Sequence, residues 1–502
     1  MTISKSKNSK NKLNILFVAT EMEPFAKIGG LGEVISTLTK RLSGLDCDVR
    51  VVLPYYKQVK KYIRDQKIKV KKLDKTVQVC IDWLVAEAQI YEVKYKDVII
   101  YLLENDEFFG RDQIYATPKG EFEDNDIRFG FLSLGALEVA KVLKFKTDII
   151  HCHDWQTALL PISLKWRKHI KDDEFFKDSK IVFTIHNISY QGQFDKGILD
   201  KFGIPAYLFT AQGLELYGKA NLLKGGILYS DLVTTVSPTF AEEIKKREFG
   251  HGMDAVLKWV SRKSNNLVGI LNGIDYDLWN PETDKAIYNT YNQKSIEAKK
   301  QNSLKLKKEL NLVENDEFPL VTYVSKLTEQ KGLDLLLDSL PQIFDLGYQV
   351  AIIGIGDARF EQMVRRANRK FRKKLSIAIK PTEELERKIY AGSDMIVMPS
   401  RFEPCGLGQI IGLRYGTIPV VRGTGGLLDT VIDYNEDNKN GNGFVFHEFS
   451  KIALLDAMLR AISVYDDKKA WNKLVVKAMK SDFSWRKSGK TYKEIYQKLL
   501  TK

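Results

Sequence analysis

A chain of 502 residues with 44% hydrophobic and 28% charged side chains is too long for one ordinary core, and two domains of roughly 200–250 residues each are expected. No apolar run approaches the ~18 residues a membrane span needs, and residues 1–12, rich in Lys, Ser and Asn, lack the apolar stretch of a secretory signal and read as a disordered tail. The net charge of +14 is mostly lysine and is spread along the chain, which reads as a solvated surface; with no zinc finger, RNP-type motif or basic heptad helix, neither nucleic acid nor a membrane is expected as a partner. The four cysteines form no C-x-x-C pair, which argues against structural zinc and a disulfide framework and fits a reducing cytoplasm.

The first ordered piece is the apolar run 13–19, of the kind found in a strand buried on both faces. Gly29, Gly30 and Gly32 follow, then a helical pattern over 33–42 and a second apolar run at 49–53, which together make a βαβ unit. Strand-like runs recur at 98–103, 148–151, 181–185 and 232–236, separated by helical patterns, so a parallel sheet covered by helices is expected. Residues 282–316 are polar and rich in Lys and Asn. Strands then resume at 320–324, 349–353, 376–379, 395–398 and 418–421. The expected organisation is a tail at 1–12, a Rossmann-like domain at 13–272, a linker at 273–317, a second Rossmann-like domain at 318–480 and a C-terminal segment at 481–502.

In open α/β sheets the loops after the strands form the ligand crevice, and the unusual residues sit there. Lys27, Gly29, Gly30 and Gly32 precede a helix, an arrangement that lets the backbone approach an anion but also serves a simple turn. His151 and His153 fall on one strand face; zinc is considered, but no further Cys or His completes a site. Asp154 and Trp155 at the strand exit suit a sugar, as a hydroxyl acceptor beside an aromatic platform, or a satisfied buried Asp. His186 and Asn187 end another strand. In the second half, Lys326, Lys331, Gly354, Glu403 and the glycines Gly425 and Gly426 at a helix start combine phosphate-type features with a carboxylate, which implies a diphosphate-linked sugar.

These residues fall in ordered motifs: Lys27-x-Gly29-Gly30-Leu31-Gly32, His153-Asp154-Trp155, His186-Asn187 with Tyr190-Gln191-Gly192, Asn272-Gly273-Ile274-Asp275, Gln330-Lys331-Gly332, Pro399-Ser400-Arg401-Phe402-Glu403-Pro404-Cys405-Gly406-Leu407 and Gly425-Gly426-Leu427 with Asp429-Thr430-Val431. Through them the chain resembles the bacterial glycogen synthase and plant starch synthase family from about Leu13 to Leu499. The resemblance implies the GT-B fold, an α/β architecture of two Rossmann-like domains facing across a deep cleft, with a C-terminal helix crossing back to the first. It implies retaining transfer of glucose from ADP-glucose, or sometimes UDP-glucose, to the non-reducing 4-hydroxyl of an α-glucan, without metal or other cofactor. It assigns His186, Glu403, Lys331 and Lys326 to catalysis. Lys27, Gly29, Gly30, Asn272, Gly354, Cys405, Gly406, Leu407, Gly425, Gly426, Leu427 and Thr430 are assigned to the donor, and Asp154, Trp155 and Asn187 to the acceptor or sugar.

The chain departs from the family at several positions. Lys326 stands where Arg is usual, losing the bidentate fork. Pro381 lies where an aromatic residue often stacks on the base, and Leu385-Glu386-Arg387 replaces Leu-Ala-His. Glu33 and Gln156 replace Asp and His, and Ile411 replaces the second acid of other GT-B enzymes. The competing readings are a catalytically weakened paralogue that binds glucan or nucleotide, and a GT-B transferase using UDP-glucose or another acceptor.

Overall fold

The computed structural model describes residues 12–82, 84–117, 120–264, 266–434 and 440–501; the expected tail therefore lies, apart from Lys12, outside the described residues. The chain divides into two units, the first comprising residues up to Thr235, Ile244–Ile270 and those from Trp485 on, the second Val236–Glu243 and Leu271–Ser484.

The first unit is built on nine strands: β1 (Leu13–Val18), β2 (Cys47–Pro54), β3 (Val70–Ile81), β4 (Leu84–Tyr95), β5 (Val98–Glu104), β6 (Ile149–His153), β7 (Lys180–Ile185), β8 (Leu232–Thr235) and β9 (Leu267–Gly269). Their order in space is β9-β8-β7-β6-β1-β2-β5-β4-β3, parallel except at β3 and β4. The parallel strands are the near-continuous apolar runs, since both their faces are covered. β3 and β4 escaped the sequence reading because their buried residues alternate with exposed ones, among them Lys71, Lys72 and Lys75. The chain lays β2 on one side of β1 and β6 on the other, so the loops after β1 and β6 part at a topological switch point, where such sheets bind ligands. Helix α1 (Gly30–Ser43) opens directly from the first of these loops. The C-terminal helix, Trp485–Leu500, belongs to this unit. Gly489 gives it close approach to α1, since a Cβ there would meet Arg41 at 2.4 Å, and Tyr496 reaches His151.

The second unit has six strands, all parallel: β10 (Leu320–Val324), β11 (Gln349–Gly354), β12 (Leu375–Ile379), β13 (Met395–Met398), β14 (Ile418–Arg422) and β15 (Phe444–Phe446), in the order β12-β11-β10-β13-β14-β15. This is the 3-2-1-4-5-6 order of the doubly wound fold, with its switch point between β10 and β13.

The boundaries differ from the expected ones in two places. Val236–Glu243, placed by sequence in the first domain, goes with the second unit. There its helix α2 (Pro238–Glu243) is pinned by Asp429, which accepts from the Thr239 amide at 2.9 Å and the Thr239 hydroxyl at 2.7 Å. The stretch 273–317 is not a linker but part of the second unit's body, with helix α3 (Glu297–Glu309) inside it. Its polar composition misled because two of its lysines point inward: Lys299 Nζ donates to the carbonyls of Tyr390 and Ala391 and to Thr417 Oγ1, and Lys307 Nζ to the carbonyls of Asn315 and Phe318. Burial pushes Lys299 down to about 7. Among the described residues no helix is long and apolar enough to cross a membrane.

Candidate active site

In the first unit, the loop leaving β1 folds around Glu21, a buried carboxylate absent from the sequence candidates. Its Oε2 accepts from the amides of Ile28 (2.7 Å) and Gly29 (3.0 Å), and its Oε1 from the Tyr115 hydroxyl (2.6 Å). The Gly29 amide expected to face a phosphate is therefore held by an internal carboxylate. Lys27 Nζ pairs with Glu23 at 3.0 Å and lies 3.7 Å from Glu33, while Gly30 starts α1.

The loop leaving β6 carries a strained residue. Asp154 has φ 56° and ψ −178°, a region L-residues avoid. What holds it there is a turn linking two strand ends: Asp154 Oδ1 accepts from the His186 amide at 2.7 Å, and the Asn187 amide adds a second bond. Burial raises the Asp154 carboxyl to about 7 against the pull of these amides. Behind the turn, His151, His153 and His186 lie in contact, with 4.2 Å between the first two ring centroids and 5.3 Å between the last two. Burial keeps all three below the usual imidazole range, His186 at about 3.

Trp155 is not an open platform. It is buried, and Gly192 at φ +59° lies on its ring so closely that a Cβ would stand 2.4 Å away. It forms one wall of a cavity of about 560 Å³ that is also lined by Glu121, Tyr190, Gln193, Phe194 and His251. The exposed aromatic face there belongs to Tyr190, 54% accessible. Tyr190 stood in a quoted motif, but neither it nor the other four residues was assigned a role.

In the second unit, the loops after β10 and β13 meet at the switch point. Gly332, at φ +68°, lies against the Pro399 carbonyl, where a Cβ would approach to 1.8 Å. This contact sets Lys331 beside Glu403: Nζ to Oε1 is 2.8 Å and to Oε2 2.6 Å, and Ser400 Oγ donates to Oε2 at 3.0 Å. Lys326 is exposed, and its carbonyl accepts from the Tyr323 hydroxyl. Gly354 ends β11, close to the Ser325 carbonyl. Asn272 hydrogen-bonds Cys405, and burial pushes that thiol up to about 12; the Asn272 Oδ1 has no partner among the described residues. Gly406 (φ +70°) and Leu407 lead into helix α4 (Gly408–Arg414), with Gln409 beneath them donating to the carbonyls of Cys405 and Gly406 and to Thr430 Oγ1.

The expected anion nest at Gly425–Leu427 is already occupied by the chain itself. It opens a helix of only six residues, α5 (Gly425–Thr430). The Gly425 amide donates to Glu243 Oε1 at 3.0 Å, the Gly426 amide to the Glu403 carbonyl at 3.0 Å and the Leu427 amide to the Thr424 carbonyl at 3.1 Å. Thr430 also has a framework role, donating to the Gly426 carbonyl at 2.6 Å. Arg387, grouped by sequence with the nucleotide departures, lies instead in a buried structural cluster. It is 3.2 Å from Asp284, bonds the Leu278 carbonyl and stacks on Trp279. Ile411 is a core residue. Among the described residues no group of three or more His, Cys, Asp or Glu is arranged to hold a metal ion.

Residues 14–259 match the family described as "Starch synthase catalytic domain", and residues 305–475 the family described as "Glycosyl transferases group 1". The glycogen synthase of Geotalea daltonii is 44% identical over 98% of this chain and 99% of its own length, and that of Thermosipho africanus 43% over 98% and 100%. Among solved structures, the catalytic domain of starch synthase IV from Arabidopsis thaliana, bound to ADP and acarbose, superposes with a TM-score of 0.88 at 33% identity, covering 98% of this chain and all of that one. A sucrose-phosphate synthase from Thermosynechococcus elongatus, 16% identical over 98% of this chain and all of its own, shares the fold with a TM-score of 0.60.

Proposed function

This chain belongs to the glycogen synthase and starch synthase family of glycosyltransferases, and we propose that it lengthens an α-1,4-glucan by retaining transfer of glucose from ADP-glucose to the 4-hydroxyl at the non-reducing end. The observation that carries the reading is the Lys331–Glu403 pair at the switch point of the second unit. A fixed cation beside a buried carboxylate suits a sugar diphosphate, the ammonium meeting the phosphate that leaves and the carboxylate accepting from sugar hydroxyls. Lys326 adds positive charge for the same leaving group, a task that needs no metal ion. ADP as the nucleotide is supported by the Arabidopsis starch synthase, solved with ADP and acarbose. The cavity edged by Tyr190 and Trp155 suits a saccharide, with an aromatic face, amides and a carboxylate around it.

His186, Asp154 and Asn187 serve the glucose side of the reaction. Retention without a carboxylate nucleophile is met by front-face attack, in which the new C–O bond forms as the old one breaks and the departing phosphate oxygen takes the proton of the acceptor hydroxyl. The reaction belongs in the cytosol, where ADP-glucose and glucan coexist with the chain's buried thiols Cys47, Cys152 and Cys405. The test is incorporation of labelled glucose into glycogen from ADP-glucose and UDP-glucose in parallel. Preferential transfer from ADP-glucose is expected. Preference for UDP-glucose overturns the donor, and glucan binding without transfer from either identifies a weakened paralogue.

A further inference from the structure

His153 lies on the face of β6 that carries His151, and register pairs His151 with Phe17 of β1. Its ring is stacked on Phe17, with centroids 5.5 Å apart and planes 15° from parallel, and packs against His151 on β6. One ring nitrogen, Nδ1, is 3.1 Å from His186 Nε2; the other, Nε2, is buried with no group to bond among the described residues. His151 has nothing to offer it. Its Nδ1 is 2.7 Å from the hydroxyl of the fully buried Tyr496 and its Nε2 is 2.6 Å from Thr184 Oγ1, which continues to Thr234 Oγ1 at 2.6 Å. The Tyr496 hydroxyl and Thr184 Oγ1 thus take both ring nitrogens of His151, whichever of the two carries its hydrogen.

The His153–His186 contact admits one hydrogen between two nitrogens. If His186 donated it, the hydrogen of neutral His153 would sit on Nε2, a buried donor with nowhere to go. If His153 donates it, Nε2 is a lone pair, the milder of the two unmet groups. Which nitrogen of a histidine holds its hydrogen is set by the bond made at the other. Resting on the reading that places His186 at the donor glucose, we infer that His153 is a positioning residue: its Nδ1–H fixes His186 as the neutral Nδ1–H tautomer, so that His186 meets the sugar as a hydrogen-bond donor with no lone pair left to accept a proton. Asp154 does not compete for that ring, since its carboxylate takes the backbone amides of His186 and Asn187. The C-terminal helix closes the far end of the arrangement through Tyr496, 345 residues from His151 in sequence.

The test begins with the full wild-type chain, labelled with ¹⁵N-histidine, which has only six histidines to assign. Long-range ¹H–¹⁵N correlation distinguishes the two neutral tautomers and the cation. The Nδ1–H pattern for His186 between pH 6 and 8 is expected; the Nε2–H pattern, or a cation, overturns the inference even if no variant folds. His153→Phe keeps the stacked ring without its donor. It is expected to mix the His186 tautomers and lower kcat about tenfold with little change in donor KM. His153→Asn, whose amide nitrogen stands near the place of Nδ1, is expected to recover most of that loss and the wild-type pattern. A Phe variant equal to wild type in both kcat and tautomer removes the positioning role. Should the wild-type chain transfer no glucose at all, the proposed function falls, while its own spectrum still decides the tautomer.

Discussion

Replacing Lys331 and Glu403 singly and together tests whether the pair is a device of the site or an ordinary ion pair. The two side chains are not equally buried: Glu403 is 5% accessible and Lys331 19%. Lys331→Ala leaves a carboxylate in the protein with only Ser400 to bond, and removing one partner of a buried pair costs about 3–5 kcal/mol. Glu403→Ala leaves an ammonium on a flexible stem that can swing to water, so about 1–2 kcal/mol is expected. The double variant has no stranded charge and loses only packing, so it should be no less stable than Lys331→Ala, a coupling of at least about 1–2 kcal/mol. The assay is urea unfolding, comparing midpoints and slopes only in the transition that all four proteins share, since a two-unit chain need not unfold in one step. ADP titration supplies the functional half. Lys331→Ala should bind ADP about tenfold more weakly, and Glu403→Ala should bind it as well as wild type or better, because its lysine is released, while losing transfer. Additive stability costs, or ADP affinity falling in parallel in Glu403→Ala, would refute the reasoning.

Asp154 should make stability pH-dependent. Its carboxyl is raised from 3.8 to about 7, so the folded state binds the proton more tightly, and the stability it contributes is full below about pH 4 and is lost as pH rises towards 7, by at most about 4 kcal/mol. Asp154→Asn should flatten the unfolding midpoint between pH 5 and 8 relative to wild type; an unchanged slope would assign the dependence to other groups. Arg387→His, the change towards the family residue, should lower stability by about 1–3 kcal/mol, because it takes the guanidinium from Asp284, only 4% accessible, and leaves that carboxylate only neutral donors, the Tyr415 hydroxyl and the Ala286 amide, and should leave kcat alone. A gain in kcat without loss of stability would return Arg387 to the nucleotide site. Tyr190→Ala should raise KM for glucan by about three- to tenfold with donor KM unchanged, as expected for one lost aromatic contact; equal glucan KM would remove the cavity from the acceptor path.

The parts of the molecule legible in the sequence are those written locally. Parallel strands such as β1, β6 and β13 read as apolar runs because both faces are covered, and Lys331, Glu403 and His186 stand out because chemistry-bearing residues follow such runs directly. The half-buried alternation of β3 and β4 is fainter, and α3, with Lys299 and Lys307 inward and its other lysines exposed, imitates a solvated linker, since nothing near Lys299 in sequence announces carbonyl acceptors 91 and 92 residues away.

Other features of the site were decided only by tertiary structure. Glu21 belongs to no motif until sheet order brings Tyr115 and the Ile28 and Gly29 amides onto its two oxygens. The glycines at 425 and 426 have the composition of an anion nest, yet Glu243 and the Glu403 carbonyl take their amides. Arg387 reads as a lost nucleotide contact until Trp279 and Asp284 are seen around it. The physical reason is common to all of them. Propensity and periodicity are properties of neighbours along the chain, whereas the partner of a buried charge or ring nitrogen is set by which strands lie side by side, and a buried polar group's role depends on that partner.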